Sequence, residues 1–122
     1  MASVRYIVND IDKSVEFYRD RLGFSVEMHN SGKFASLKRD ELNLFLNAPG
    51  AGSAGKAGGN PEPGGWSRFM IITKDLDGMI ADLKKSGAKF RGDIAAGAGR
   101  QILLEDPSGN VVELFEYVEK GQ

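Results

Sequence analysis

Val4-Arg5-Tyr6-Ile7-Val8-Asn9-Asp10-Ile11-Asp12, near the start of the chain, is answered in its second half by Phe69-Met70-Ile71-Ile72-Thr73-Lys74-Asp75-Leu76-Asp77. Each stretch is an apolar run at strand spacing, then Asp-apolar-Asp, then a helical pattern. Leu42-Asn43-Leu44-Phe45 is echoed in the same way by Val112-Glu113-Leu114-Phe115. A unit written twice predicts two similar modules related by a pseudo-twofold, with a cleft between their sheets. Asp10 and Asp75 each stand where a carboxylate can accept the open N–H groups of a helix's first turn. Ile11, Val15, Tyr18 and Leu22 form a stripe at helical spacing, as do Leu76, Ile80 and Leu83. Gly23 and Gly87 follow as left-handed terminators.

The rest of each module reads as strands. In the first they cover 24–28, 34–38 and 42–46, with turns at 29–32 and 39–41. In the second they cover 68–73, a short 88–91, 100–104 and 111–117, the last two joined by Asp106-Pro107-Ser108-Gly109-Asn110 with its turn chemistry. The fold class is α+β: two βαβββ modules in tandem, 1–47 and 66–122, forming a cupped mixed sheet within one domain over 1–122. Residues 48–65 are rich in Gly, Ala and Pro and have little to bury. They read as a mobile connector, either a plain linker or a lid.

Alternation assigns the two faces of each sheet. Val4, Tyr6, Val8, Leu42, Leu44, Leu46, Phe69, Ile71, Val112 and Leu114 belong beneath the helices. Ser3, Arg5, Ile7, Asn43, Phe45, Arg68, Met70, Ile72, Glu113 and Phe115 belong to the cup. The first set is almost wholly apolar, whereas the second mixes charges, an amide and aromatic rings. Apolar walls with a few polar groups to orient a molecule are what a small-ligand site requires.

Bulk properties exclude several classes. A chain of 122 residues is one domain by size. A net charge of −1 offers no electrostatic footprint for nucleic acid. No apolar run has the length of a membrane span, and the N-terminus enters a strand pattern at once, without a signal peptide. Without cysteine there is no disulfide, thiolate ligand or thiol nucleophile. A cytoplasmic protein fits these features. Two literal motif matches, Gly50-Ala51-Gly52-Ser53-Ala54-Gly55 and Ser53-Ala54-Gly55-Lys56, lack the helix that their chemistry needs.

Residues 6–24, Tyr6-Ile7-Val8-Asn9-Asp10-Ile11-Asp12-Lys13-Ser14-Val15-Glu16-Phe17-Tyr18-Arg19-Asp20-Arg21-Leu22-Gly23-Phe24, resemble the vicinal oxygen chelate superfamily. So does Leu103-Leu104-Glu105-Asp106-Pro107-Ser108-Gly109-Asn110-Val111-Val112-Glu113-Leu114-Phe115-Glu116. That group includes glyoxalase I, extradiol dioxygenases, fosfomycin-resistance proteins and bleomycin-binding proteins. The resemblance implies a divalent metal held from four strand positions. Those positions carry Ser3 and Arg68 on the opening strands, and Asn43 and Glu113 on the closing ones. Only Glu113 is a good ligand; Ser3 and Asn43 are weak neutral oxygens, and Arg68 repels a cation.

The expectation is therefore that no cofactor is present and that Arg68 pairs with Glu113 in the space of the missing metal. The corresponding function is metal-independent binding of a small planar or anionic molecule. Its candidate contacts are Arg5, Asn43, Phe45, Trp66, Arg68, Met70, Gln101, Glu113 and Phe115. Arg5 suits an anionic ligand group or a dimer contact equally well. Trp66 can stack on a planar ligand or serve packing. One of Arg100 and Gln101 faces the cup. The alternative is a metal-dependent lyase or dioxygenase of glyoxalase type, with Glu113 as its surviving ligand or its base. His29, the single histidine, falls in a turn with no carboxylate placed to orient it. The resemblance also implies a homodimer.

Overall fold

The computed structural model describes residues 3–51, 61–97 and 99–117. Its elements run β1 (Ser3–Ile7), α1 (Ile11–Glu16), a π-helical turn (Phe17–Arg21), β2 (Ser25–Asn30), β3 (Phe34–Arg39), β4 (Leu42–Asn47), β5 (Phe69–Ile72), α2 (Leu76–Lys85), β6 (Lys89–Ala96), β7 (Gly99–Glu105) and β8 (Val111–Tyr117). They form two four-stranded mixed sheets, ordered β1-β4-β3-β2 and β5-β8-β7-β6. In each, the first strand of a βαβββ unit lies parallel to the last. One compact unit holds Met1–Gly65 with Asp106–Asn110; the other holds Trp66–Glu105 with Val111–Gln122. No helix among the described residues is long and apolar enough to cross a membrane.

In the first unit the Asp10 carboxylate accepts the Lys13 N–H at 3.0 Å and starts α1. Ile11, Val15, Tyr18 and Leu22 are all buried, as are Tyr6, Val8, Ala35, Leu37, Leu44 and Leu46 from the strands. Burying each large aliphatic side chain contributes roughly 1.5–3 kcal/mol. Gly23, at φ +75, takes the left-handed conformation that ends the helical segment. In the second unit Asp75 accepts the Gly78 N–H at 3.0 Å. Leu76, Ile80 and Leu83 are buried with Phe69, Ile71, Ile102, Leu104, Val112 and Leu114.

Two expectations need correction. The turn placed at 29–32 starts later, because β2 runs to Asn30 and pairs His29 with Ala35. The short strand at 88–91 is the start of the longer β6. Its register slips between Arg91 and Ala95, with Gly92 at φ +80. Such a bulge breaks the period-two alternation by which a strand is read. Within the connector, residues 52–60, expected as linker or lid, lie outside the described residues.

The Asp106–Asn110 turn is tied to the rest of the first unit through Asp106, Ser108 and Asn110, the Asn9 N–H donating to the Ser108 hydroxyl at 2.9 Å. Asp106 accepts from the Tyr18 hydroxyl at 2.9 Å, the Ser108 N–H at 2.9 Å, and the Asn110 N–H and side-chain amide at 2.8 and 3.0 Å. Asn110 also donates to the Ile7 carbonyl at 2.8 Å and accepts the Gly64 N–H at 2.7 Å. Burial pushes the Asp106 carboxyl up despite these donors, and burial together with the Asp106 charge pushes the Tyr18 hydroxyl well up.

A carboxyl raised by folding binds its proton more tightly in the folded chain. It therefore favours folding below its ordinary value of 3.8, and that contribution fades as pH climbs through the raised value. Asp106→Asn removes the titration. The stability difference between the native chain and this variant, measured by urea midpoints across the acid-to-neutral range, is expected to shift against the native chain as pH rises. A pH-independent difference would refute the assignment. A second check is Gly99→Ala. A Cβ there meets the Glu116 carbonyl oxygen and comes within 2.7 Å of the Phe115 ring. The substitution is expected to lower stability by about 1–3 kcal/mol in the same assay.

Candidate functional site

Within the second unit, the face of the sheet away from α2 carries a buried carboxylate under a guanidinium. Glu113 on β8 stands beside Met70 in the β5 register, and Arg68 lies two residues earlier, just before β5. The long arginine side chain crosses that offset and sets Nε 2.9 Å from Glu113 Oε1. Glu113 retains 8% of its surface, and the Arg68 side chain retains 34%. Arg68 Nη1 also donates to the Trp66 carbonyl at 3.3 Å. The ion pair anticipated from the sequence is therefore present, reached diagonally rather than straight across.

The same face brings together several other candidates. Leu103 lies opposite Glu113, and Gln101 opposite Phe115. Met70 and Ile72 are exposed beside them, and the Phe115 ring meets Tyr117 edge-on at 4.8 Å. Gln101 is thus the member of its pair on the open face. Arg100 points the other way, to Asp77 at 2.6 Å and Glu116 at 3.1 Å. Trp66 is 68% exposed. The Arg91 guanidinium sits 4.9 Å from the centre of its ring and is itself bound to Glu105 at 2.9 Å.

Arg91, Leu103 and Glu105 were not among the candidates read from the sequence. Leu103 and Glu105 alternate with the buried Ile102 and Leu104, so carrying the alternation on from Gln101 finds them. Arg91 closes the strand expected at 88–91, which was too short for its facing to be counted.

In the first unit, β1 and β4 place Ser3 beside Asn43 and Arg5 beside Phe45. The Arg5 guanidinium lies 5.3 Å from the centre of the Phe45 ring, a cation–π contact. Arg5, Asn43 and Phe45 therefore share the open face of the first sheet.

His29 departs from its expected environment. Its Nε2 is 2.7 Å from Asp12 Oδ1, so a carboxylate does accompany it. Asp12 also accepts the Ser31 hydroxyl at 2.9 Å. The Ser31 hydroxyl first, then the His29 ring, hold the Asp12 carboxyl below its ordinary value. Because His29 pairs with the buried Ala35, it points toward α1 and not to the open face.

The four positions that the resemblance marks for a metal carry a poor donor set here. Ser3 and Asn43 offer neutral oxygens, Arg68 brings a positive charge, and a lone pair of Glu113 is already engaged at 2.9 Å by that charge. A divalent ion needs several anionic or basic donors free to turn toward it. Among the described residues, no three His, Cys, Asp or Glu side chains are grouped to hold a metal.

Comparison with known proteins places this geometry in context. The family model of the Glyoxalase/Bleomycin resistance protein/Dioxygenase superfamily matches residues 1–114. The Bacillus subtilis (strain 168) protein YraH is 28% identical over 124 residues, spanning 95% of this chain and 97% of that protein. TnmS3, an antibiotic binding protein from Streptomyces sp. CB03234, is 26% identical with a TM-score of 0.73, over 95% of this chain and 93% of that one. Lactoylglutathione lyase from Agrobacterium tumefaciens has a TM-score of 0.75 at 19% identity, over 95% of this chain and 92% of that one, a likeness of fold alone.

The pair can be tested directly. Arg68→Ala leaves a buried carboxylate without its partner. Breaking a fully buried pair costs about 3–5 kcal/mol. The open third of the Arg68 side chain lowers the expected loss to about 1–3 kcal/mol. Adding Glu113→Gln to that variant is expected to restore part of the loss in a double-mutant cycle followed by chemical unfolding. Additive effects would show that the two side chains do not interact.

Proposed function

The chain belongs to the glyoxalase/bleomycin resistance protein/dioxygenase superfamily, and from that premise we propose that it binds a small planar or anionic molecule without a metal, on the open face of its second sheet. The observation that carries this reading is the Arg68–Glu113 pair at 2.9 Å, which sets a guanidinium against the one strong ligand among the four metal positions. With a third of its side chain still open, Arg68 can neutralise Glu113 and also donate to a carboxylate or carbonyl of a ligand. Trp66, Met70 and Phe115 supply flat or deformable apolar area beside it, and Gln101 supplies an amide. The binding role of TnmS3, an antibiotic binding protein at 26% identity, supports the same direction. On the first sheet, Arg5 over Phe45 offers similar chemistry, with Asn43 as a further polar contact. A homodimer and a cytoplasmic location belong to the same reading, and light scattering at twice the chain mass checks the first.

Metal analysis of protein purified without chelator, paired with thermal unfolding in the presence of naphthoate, separates this function from catalysis. The expected result is substoichiometric metal and a melting temperature that rises with naphthoate, since a ligand that binds only the folded state stabilises it by mass action. Stoichiometric zinc, nickel, manganese or iron, accompanied by turnover of a glyoxalase or dioxygenase substrate, would instead assign Glu113 to a metalloenzyme.

A further inference from the structure

The first unit contains a second concavity that the preceding reading does not use. A cavity of about 600 Å³ lies between the tip of the β2–β3 hairpin, with Asn30, Lys33 and Phe34, and the end of β4, with Asn47 and the chain just after it. Its volume falls within the range of about 300–1,000 Å³ that small-molecule sites occupy. The main chain around it is fixed. The Asn47 carbonyl accepts the Val8 N–H at 2.9 Å, the Lys33 carbonyl accepts the Ala48 N–H at 2.9 Å, and the Asn30 carbonyl accepts the Lys33 N–H at 3.1 Å. Asn47 is flanked in register by Ile7 on one side and Phe34 on the other.

Asn47 is the informative residue. It keeps only 7% of its surface. Its side chain makes no hydrogen bond to any described residue, yet among the described residues no polar side-chain atom is sealed from solvent without a partner. Its carboxamide therefore opens onto the cavity it lines. Its polar atoms still meet solvent, so a ligand that enters must return the hydrogen bonds of the water it displaces. A carboxamide presents a donor and an acceptor side by side, and the group that satisfies both at once is another amide edge. The neighbouring wall is the half-buried Phe34 ring, and Lys33 stands exposed at the rim.

We propose that this cavity is a ligand site in its own right, taking a compact planar cyclic amide or imide. The ligand's N–H and C=O pair with the Asn47 carboxamide, its ring rests on Phe34, and a negative substituent is favoured by Lys33. The site lies wholly within the first unit, so it stands or falls separately from the second-sheet reading.

The test follows the Asn47 side-chain amide signals by NMR during titration with phthalimide, carboxyphthalimide and N-methylphthalimide. Saturable shifts are expected with phthalimide, tighter binding with the carboxylated probe, and binding about tenfold weaker when methylation removes the donor. Asn47→Leu supplies the control for structure. Because the amide bonds no described residue, the variant is expected to melt no lower than the native chain while losing the phthalimide response. A variant that melts clearly lower would make Asn47 a structural residue and overturn the proposal. So would a native chain that ignores phthalimide, or a variant that binds it unchanged.

Discussion

A carboxylate that keeps 8% of its surface requires a positive partner or a proton. Glu113 obtains the partner from Arg68, and that requirement organises the second sheet's open face. Arg68 sits two residues before the register position beside Glu113, and it also holds the Trp66 carbonyl. Trp66 in turn lies under Arg91, which Glu105 anchors. Two guanidiniums, two carboxylates and an exposed indole are thereby fixed on one surface.

The remainder of the fold solves a simpler problem twice. A sheet with one apolar face must cover it, and in each unit a helix capped by an aspartate does so. This part was legible in the amino-acid order. The alternation through Val4, Tyr6 and Val8, the spacing of Leu76, Ile80 and Leu83, and glycines at 23 and 87 each encode a local requirement that no distant contact alters. The Arg68–Glu113 pair was legible for a related reason: Glu113 lies on one strand and Arg68 one residue before another, so the facing of both could be counted.

What escaped was set by features without a local period. The bulge after Arg91 shifted β6 out of alternation and hid the strand's length. The Asp12–His29 contact joins residues 17 apart across a helix and a strand, and only the tertiary path brings them together. The π-helical turn at Phe17–Arg21 leaves the apolar stripe intact, so the stripe gives no sign of it. The echo of Leu42-Asn43 by Val112-Glu113 suggested equivalent positions, whereas Asn43 pairs with Ser3 and Glu113 with Met70. Repeated sequence preserved the facing of these side chains but not their register.

A lyase and an antibiotic binding protein share this scaffold, so function rests on which groups occupy the open faces. The decisive measurement is anomalous diffraction from crystals of this protein grown with excess manganese or zinc. The account expects no ordered ion at Glu113 and a guanidinium in hydrogen-bonding contact with its carboxylate. A well-occupied ion coordinated by Glu113, with Arg68 turned aside, would contradict it.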